Sequence, residues 1–275
     1  MQQASDTTSG AIMTNPSSAT VEVPLPVRVG SPSPFRSPGL VMDGGEVPKH
    51  IAFIVDGNRR WARNRGISVE EGHRRGAENI CRALEWCEAA GVQITTWWLL
   101  STDNLSRSAG ELRELVDIIR GLVRLLATSR RWRIRHLGDP AMLPSSLATE
   151  LKEAAGSTGD VLRPQVNLAI AYSGRADIVE AVRTTVLRAA HMGLDVDAPL
   201  EVTEERIAEA LSTRGQPDPD LVIRTSGEHR LSGFMSWQTS MAELHFCPAL
   251  WPDFRRTHLE SALGDYAARK RRFGM

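Results

Sequence analysis

The chain has little cysteine and no excess of either charge. Three cysteines, Cys81, Cys87 and Cys247, stand among 275 residues, and no two form a C-x-x-C pair. That excludes a disulfide framework and argues against a structural zinc site, so a reducing, cytoplasmic setting is the expectation. Lys plus Arg and Asp plus Glu number 33 each. Nothing global therefore draws the chain to nucleic acid or to an anionic membrane, beyond at most peripheral membrane contact. No apolar run approaches the ~18 residues of a transmembrane helix. No internal repeat is visible. What is present, 24% charged and 41% hydrophobic residues, suits a soluble globular protein with one substantial core.

Proline is unevenly spread. Six of the fifteen prolines lie in the first 40 residues, amid Ser and Thr. Apolar residues there have no period, so residues 1–46 are expected to be a disordered tail. The segment lacks the continuous apolar core of a secretory signal. Residues 47–275 are expected to form one domain.

From residue 47 apolar runs and helical periods alternate. Strands are expected at 51–55, 94–100, 132–137, 166–172, 220–224 and 243–246. Helices are expected at 76–90, 111–127, 176–190, 204–213 and 253–270. This pattern predicts an α/β fold: a mainly parallel central sheet of about six strands flanked by helices. Such sheets bind ligands beyond the carboxyl ends of their strands. Asp56-Gly57-Asn58-Arg59-Arg60, Ser101-Thr102-Asp103-Asn104, Tyr172-Ser173-Gly174-Arg175 and Arg224 through Arg230 all follow strands.

Asp56 to Trp61 reads as an anion site or as a plain turn with Asp56 as a helix cap. In the first reading the Gly57 and Asn58 amides and Arg60 meet phosphate, and Asp56 tolerates it only through a divalent cation, implying Mg²⁺. Gly72-His73-Arg74-Arg75-Gly76 is expected to open the next helix, as a second set of phosphate donors or as a solvated basic face. Ser101, Asn104 and Arg107 offer polar groups for a small ligand, or simply cap a helix. Arg224, Arg230 and Ser232 suggest a second anion site, and two anion sites in one cleft suggest two phosphorylated substrates. Glu243 is a metal ligand or an ordinary paired carboxylate. The helix at 111–127 carries Leu112, Leu115, Val116, Ile119, Leu122, Val123 and Leu126 in one stripe, with Ile118 and Leu125 outside it. It is plain core or the wall of an apolar tunnel. Trp97 and Trp98 are expected to point to opposite faces of the sheet.

These segments resemble the cis-prenyltransferases of the undecaprenyl diphosphate synthase family. His50 through Ala62 (HIAFIVDGNRRWA) matches that family's first signature closely. Ser101-Thr102-Asp103-Asn104 resembles its S-T-E-N element, and Val166 to Arg175 its central strand and loop. Arg224-Thr225-Ser226-Gly227-Glu228-His229-Arg230-Leu231-Ser232, with Glu243-Leu244 and Trp251-Pro252-Asp253-Phe254, resembles its last signature. The likeness runs over about residues 48–274, and the Asp-Asp-x-x-Asp motif of trans-prenyltransferases is absent.

The resemblance implies a hydrophobic tunnel beside the sheet. It implies Mg²⁺ at Asp56, with Glu243 supplied from the partner subunit of a homodimer. It implies an allylic diphosphate held by Gly57, Asn58, Arg59 and Arg60, assisted by His73, with Trp61 shaping that site. Arg224, Arg230 and Ser232, with Leu231 between them, would hold isopentenyl diphosphate. Asn104, near Ser101, Thr102, Asp103 and Arg107, would stand where the proton leaves. Arg272-Phe273-Gly274 resembles an R-x-G element that reaches across the dimer. Three departures resemble the short-chain branch, the (2Z,6E)-farnesyl diphosphate synthases. Val69 replaces an Arg, Leu105 replaces a Trp, and Leu99 replaces a small Ala at the tunnel wall. The rivals within the family are a long-chain polyprenyl diphosphate synthase and a branched, lavandulyl-type synthase. A non-catalytic regulatory subunit would lack the Asp and Arg set that is present here.

Overall fold

Ile51-Ala52-Phe53-Ile54 has no polar face to offer solvent, and all four side chains are buried in β1 (His50–Ile54). Both faces of that strand are covered, as the unbroken apolar run predicts for a parallel sheet. In the computed structural model, residues 46–162, 164–191 and 202–269 are described, and they lie in one compact unit. The tail expected at the amino terminus, apart from Glu46, and the Arg272–Gly274 element lie outside the described residues.

The other strands are β2 (Ile94–Ser101), β3 (Arg133–Leu137), β4 (Gln165–Tyr172), β5 (Leu221–Arg224) and β6 (Glu243–Phe246). They form one sheet in the order β3-β4-β2-β1-β5-β6, and every pairing is parallel. The helices among the described residues are α1 (Asn58–Asn64), α2 (Val69–Ala89), α3 (Ala109–Ser129), α4 (Ser145–Ser157), α5 (Gly174–His191), α6 (Glu204–Ala210) and α7 (Arg256–Ala268). The chain leaves β1 toward β2 and leaves β5 toward β6. The two connections diverge above the β1–β5 pair, where an open parallel sheet offers a crevice.

Trp97 and Trp98 do face opposite ways. Trp97 stacks on Phe53 of the neighbouring strand, ring centroids 4.1 Å apart, and Trp98 stacks on Phe234 at 4.9 Å. On one face the core is built from Ile51, Phe53 and Trp97 against α2, α3, α4 and α7. On the other it is smaller, with Ala52, Ile54, Tyr172, Phe234 and Met235.

Three expectations about the helices need correction. α2 starts at Val69, not residue 76. Ser68 caps it by accepting from the Glu71 amide at 3.1 Å, and Glu70 and Glu71 suit the first turn. Gly72 to Gly76 therefore opens nothing, and its amides belong to the helix interior. α4 was absent from the expected elements, although a crossover between parallel β3 and β4 requires such a segment. The last helix starts only at Arg256, because Trp251–Asp253 is a separate 3₁₀ turn carrying Pro252.

His50, fully buried at the start of β1, ties the sheet together. Its Nδ1–H donates to the Pro217 carbonyl at 2.8 Å, which leaves Nε2 to accept from the Thr96 hydroxyl at 2.7 Å. Asn167 Nδ2 donates to Thr96 Oγ1 and to Gln216 Oε1. Burial pushes the His50 pKa down to about 4, outweighing the Pro217 bond and the Asp220 charge. The folded state thus holds this imidazole neutral while the unfolded chain protonates it near 6.5. Its contribution is complete above pH ~6.5 and is lost as pH falls toward 4. Between pH 6.5 and 5 the unfolding free energy should drop by about 2 kcal/mol on account of His50. His50→Gln should flatten the stability-against-pH curve over that interval by one proton's worth. Denaturant titrations at several pH values measure it, and an unchanged slope refutes a neutral His50.

Candidate active site

Between β1 and α1 the chain must turn sharply, and Gly57 makes the turn at φ 112°. A side chain there would be strained and would meet Leu250 at 2.9 Å. The turn aims Asp56 beyond the carboxyl end of β1. Asp56 does not cap α1; the capping position is Gly57, and no side chain caps that helix. The turn is present, but its expected cap by Asp56 is not.

Asp56 borders a cavity of about 480 Å³ at the carboxyl ends of β1, β2 and β5. One part of its wall is polar: Asp56, Arg59, Arg60, His73, Ser101, Asp103, Asn104, Arg107, Arg224 and Ser232. The other part is apolar, from Ala77 and Ile80 of α2, Leu99 of β2, and Leu115, Ile118, Ile119 and Leu122 of α3. The 111–127 helix supplies core, and one side of it also borders the cavity: Leu115, Ile119 and Leu122 belong to the core cluster and to the wall. Val116, Val123 and Leu126 are core, while Ile118, placed outside the expected stripe, lines the cavity.

The two expected anion sites touch each other. Arg224 Nη2 donates to Asp56 Oδ2 at 3.0 Å, and Arg60 stands 3.9 Å from the same oxygen. Arg224 is only 4% exposed. Its Nη1 donates to Ser232 Oγ at 2.9 Å and to the Arg230 carbonyl, while its Nε is buried with no partner. A guanidinium this buried needs its carboxylate.

Arg59, Arg107 and His73 gather around Glu111, at 3.5, 3.2 and 4.0 Å. Burial, then Arg107, pushes the His73 pKa down to about 4, against the pull of Glu111. His73 is neutral near pH 7, so its contact with Glu111 is not an ion pair, and its buried Nε2 has no hydrogen-bond partner. The sequence reading missed Glu111. Its signal was the S-x-x-E spacing from Ser108, which reads as a capping box. Ser108 does accept from the Glu111 amide, but the Glu111 carboxylate turns to the arginines instead. Asn104 and Ser101 hold each other: the Asn104 amide donates to Ser101 Oγ at 3.1 Å, and Asn104 Oδ1 accepts from the Ser101 amide at 3.4 Å.

Trp61, Thr102, Arg230, Leu231 and Glu243 are not in the cavity wall. Trp61 lies under Arg65, whose guanidinium is 4.2 Å from the ring centroid and is held by Asp253. Arg230 pairs with Glu228 at 2.5 Å. Leu231 packs on the smaller core. Glu243 begins β6 and pairs with Arg269. It is in register with Leu221, at the amino end of the sheet, whereas Asp56 is at the carboxyl end. Within the basic segment, Arg74 and Arg75 pair with Glu70, Glu71 and Glu78 as a charged face of α2, whereas His73 and Gly76 line the cavity. Among the described residues no helix is long and apolar enough to cross a membrane.

Residues 54–274 match the family model described as putative undecaprenyl diphosphate synthase. The chain is 50% identical over 234 residues to isoprenyl transferase 1 of Streptomyces avermitilis, covering 85% of this chain and 91% of that one. It is 47% identical over 239 residues to the (2Z,6E)-farnesyl diphosphate synthase of Mycolicibacterium smegmatis, covering 86% and 91%. Among solved structures, it is similar to lavandulyl diphosphate synthase from Lavandula x intermedia in complex with dimethylallyl diphosphate. That likeness has a TM-score of 0.78 at 36% identity, over 83% of this chain and 99% of the other. An arginine-lined crevice with an apolar extension stands on a sequence this close to those enzymes: the chain belongs to the undecaprenyl diphosphate synthase family and is a cis-prenyltransferase.

Proposed function

We propose that this enzyme transfers an allylic prenyl group onto isopentenyl diphosphate, forms a Z double bond and releases a short-chain product such as (2Z,6E)-farnesyl diphosphate. One observation carries the short-chain reading. Leu99 lines the cavity facing the apolar side of α3, where an isobutyl group takes up room that a growing chain would need. The (2Z,6E)-farnesyl diphosphate synthases among the relatives support it.

The roles follow from the wall. Arg59 and Arg60 face the Asp56 side and clamp the allylic diphosphate, with Arg107 and neutral His73 beside them. Arg224 and Ser232 take the diphosphate of isopentenyl diphosphate. Asn104, braced by Ser101, stands at proton removal. The apolar wall keeps water from the reactive allylic carbon.

The residues present fit Mg²⁺. The ion takes one or two carboxylates and fills its remaining positions with substrate phosphates and water. Asp56 offers one carboxylate and Asp103 lines the same cavity, while no group of three or more metal-binding side chains occurs among the described residues. Bound there, Mg²⁺ supplies charge neutralisation for the departing diphosphate. A homodimer is supported by the placement of Glu243 away from its own chain's Asp56. The exposed Val179, Val182 and Val186 along α5 also offer an apolar strip that a second copy would bury.

Mass analysis of the products from isopentenyl diphosphate and geranyl diphosphate tests the reading. The expected product is one isoprene unit longer than the geranyl primer. A ladder of long polyprenyl diphosphates would replace the short-chain assignment with a long-chain one. A branched product from dimethylallyl diphosphate alone would replace it with a lavandulyl-type one.

A further inference from the structure

Five arginines stand in the cavity wall: Arg59, Arg60, Arg63, Arg107 and Arg224. Four of them are already held by carboxylates. Glu111 takes Arg59 at 3.5 Å and Arg107 at 3.2 Å, while Asp56 takes Arg224 at 3.0 Å and Arg60 at 3.9 Å. Arg63 is the exception. It is exposed, and among the described residues its guanidinium has no carboxylate partner and no hydrogen bond.

Arg63 follows Arg59 by four residues and Arg60 by three, so the three share one face of α1. It stands one helical turn, about 5 Å, further from Asp56 along the axis. A basic side chain in this last turn also suits the negative end of the helix. An unpaired cation at the rim can do more than a paired one. A guanidinium neutralised by its carboxylate attracts a distant anion weakly, whereas a lone charge acts across a Debye length, about 30 Å at 10 mM salt. The whole chain supplies no such attraction, because its 33 basic and 33 acidic residues cancel. Attraction for an incoming diphosphate must therefore come from charge local to the cleft.

We propose that Arg63 is a capture residue for the allylic diphosphate: it draws the anion to the rim and passes it to Arg59 and Arg60, which hold it. The inference rests on the reading that the α1 arginines bind the allylic substrate. It predicts a change in association rather than in dissociation, since a rim charge acts on the encounter.

Stopped-flow binding of geranyl diphosphate to the full-length enzyme tests it, without isopentenyl diphosphate so that no turnover occurs. Trp98 and Trp251 line the cavity, so tryptophan fluorescence reports its occupancy. At about 10 mM ionic strength Arg63→Gln should slow association about three- to tenfold, with dissociation changed less than about twofold. Near 1 M, where the Debye length is about 3 Å, the variant and wild type should converge. Arg63→Lys keeps the charge and loses the planar fork, and should associate like wild type. Arg133→Gln removes an exposed charge at the amino end of β3 and should leave association unchanged. A rise in dissociation alone, a slowing that salt does not abolish, a lysine variant as slow as the glutamine one, an equal slowing by Arg133→Gln, or no change would each overturn capture by Arg63. If Arg60→Ala leaves the dissociation of geranyl diphosphate unchanged, the allylic assignment of α1 fails, whatever Arg63 does.

Discussion

Asp56→Ala should lower kcat by about a thousandfold or more at saturating Mg²⁺, because it removes the carboxylate around which the leaving diphosphate is neutralised. Stability should suffer far less than activity. Arg224 loses its partner while 4% exposed, and breaking a buried pair costs about 3–5 kcal/mol. Here the Asp56 side chain is 37% exposed, so water screens the pair and the cost falls to about 1–2 kcal/mol. Ser232 and the Arg230 carbonyl still hold the other end of the guanidinium. Asp56→Asn separates the two effects, since its amide oxygen can still accept from Arg224. It should be nearly as inactive as the alanine variant and closer to wild type in melting temperature. Activity near wild type in either variant, with the fold intact, would remove Asp56 from the reaction.

Leu99→Ala should lengthen the product. Leu99 stands at a break in the β2–β4 register: Trp98 pairs with Ala169, Leu100 pairs with Ile170, and Leu99 is the extra residue between them. Such bulges re-aim a side chain next to a site. Leu99 is thus turned to the cavity while Leu100, fully buried, joins the same core as Trp97. Removing the isobutyl tip frees three carbons' worth of space, less than an isoprene unit. Leu115, Ile118, Ile119 and Leu122 of the facing wall must also yield, so a mixture shifted by one or more units is expected. The stability cost is about 2–5 kcal/mol for a dry core leucine, and less for one that already borders a cavity. Chromatography of the dephosphorylated products settles it. An unchanged distribution from a folded enzyme would mean that Leu99 does not set the stop.

Strand identity was legible because it is local. Ile51 to Val55, Val166 to Tyr172 and Leu221 to Ile223 announce buried strands by their own composition, and polar residues just after a strand must lie at its carboxyl end. That logic placed Asp56, Asn104 and Arg224 on one edge of the sheet with no knowledge of strand order. It failed where a residue's meaning depends on what lies opposite. Gly72 and Gly76 bound a segment read as opening a helix, with phosphate donors or a solvated basic face as its two meanings. In the fold they are helical, and both sit where Asn58 crosses α2 too closely for a Cβ. Trp61 shares a motif with Asp56, but one helical turn carries it away from the cavity to Arg65. The Asp56–Arg224 pair spans 168 residues and exists only because β5 lies beside β1. Arg107 reaches Glu111 from four residues away, but Arg59 of α1 and His73 of α2 meet it only through the packing of α3 against those helices, and Leu99 is aimed by a bulge that its own sequence does not mark. Periodicity and turn chemistry act over a few residues and determine which segments are strands and where their polar ends fall. Strand order, register and helix crossings are set by long-range packing, and they alone decided which of those ends meet.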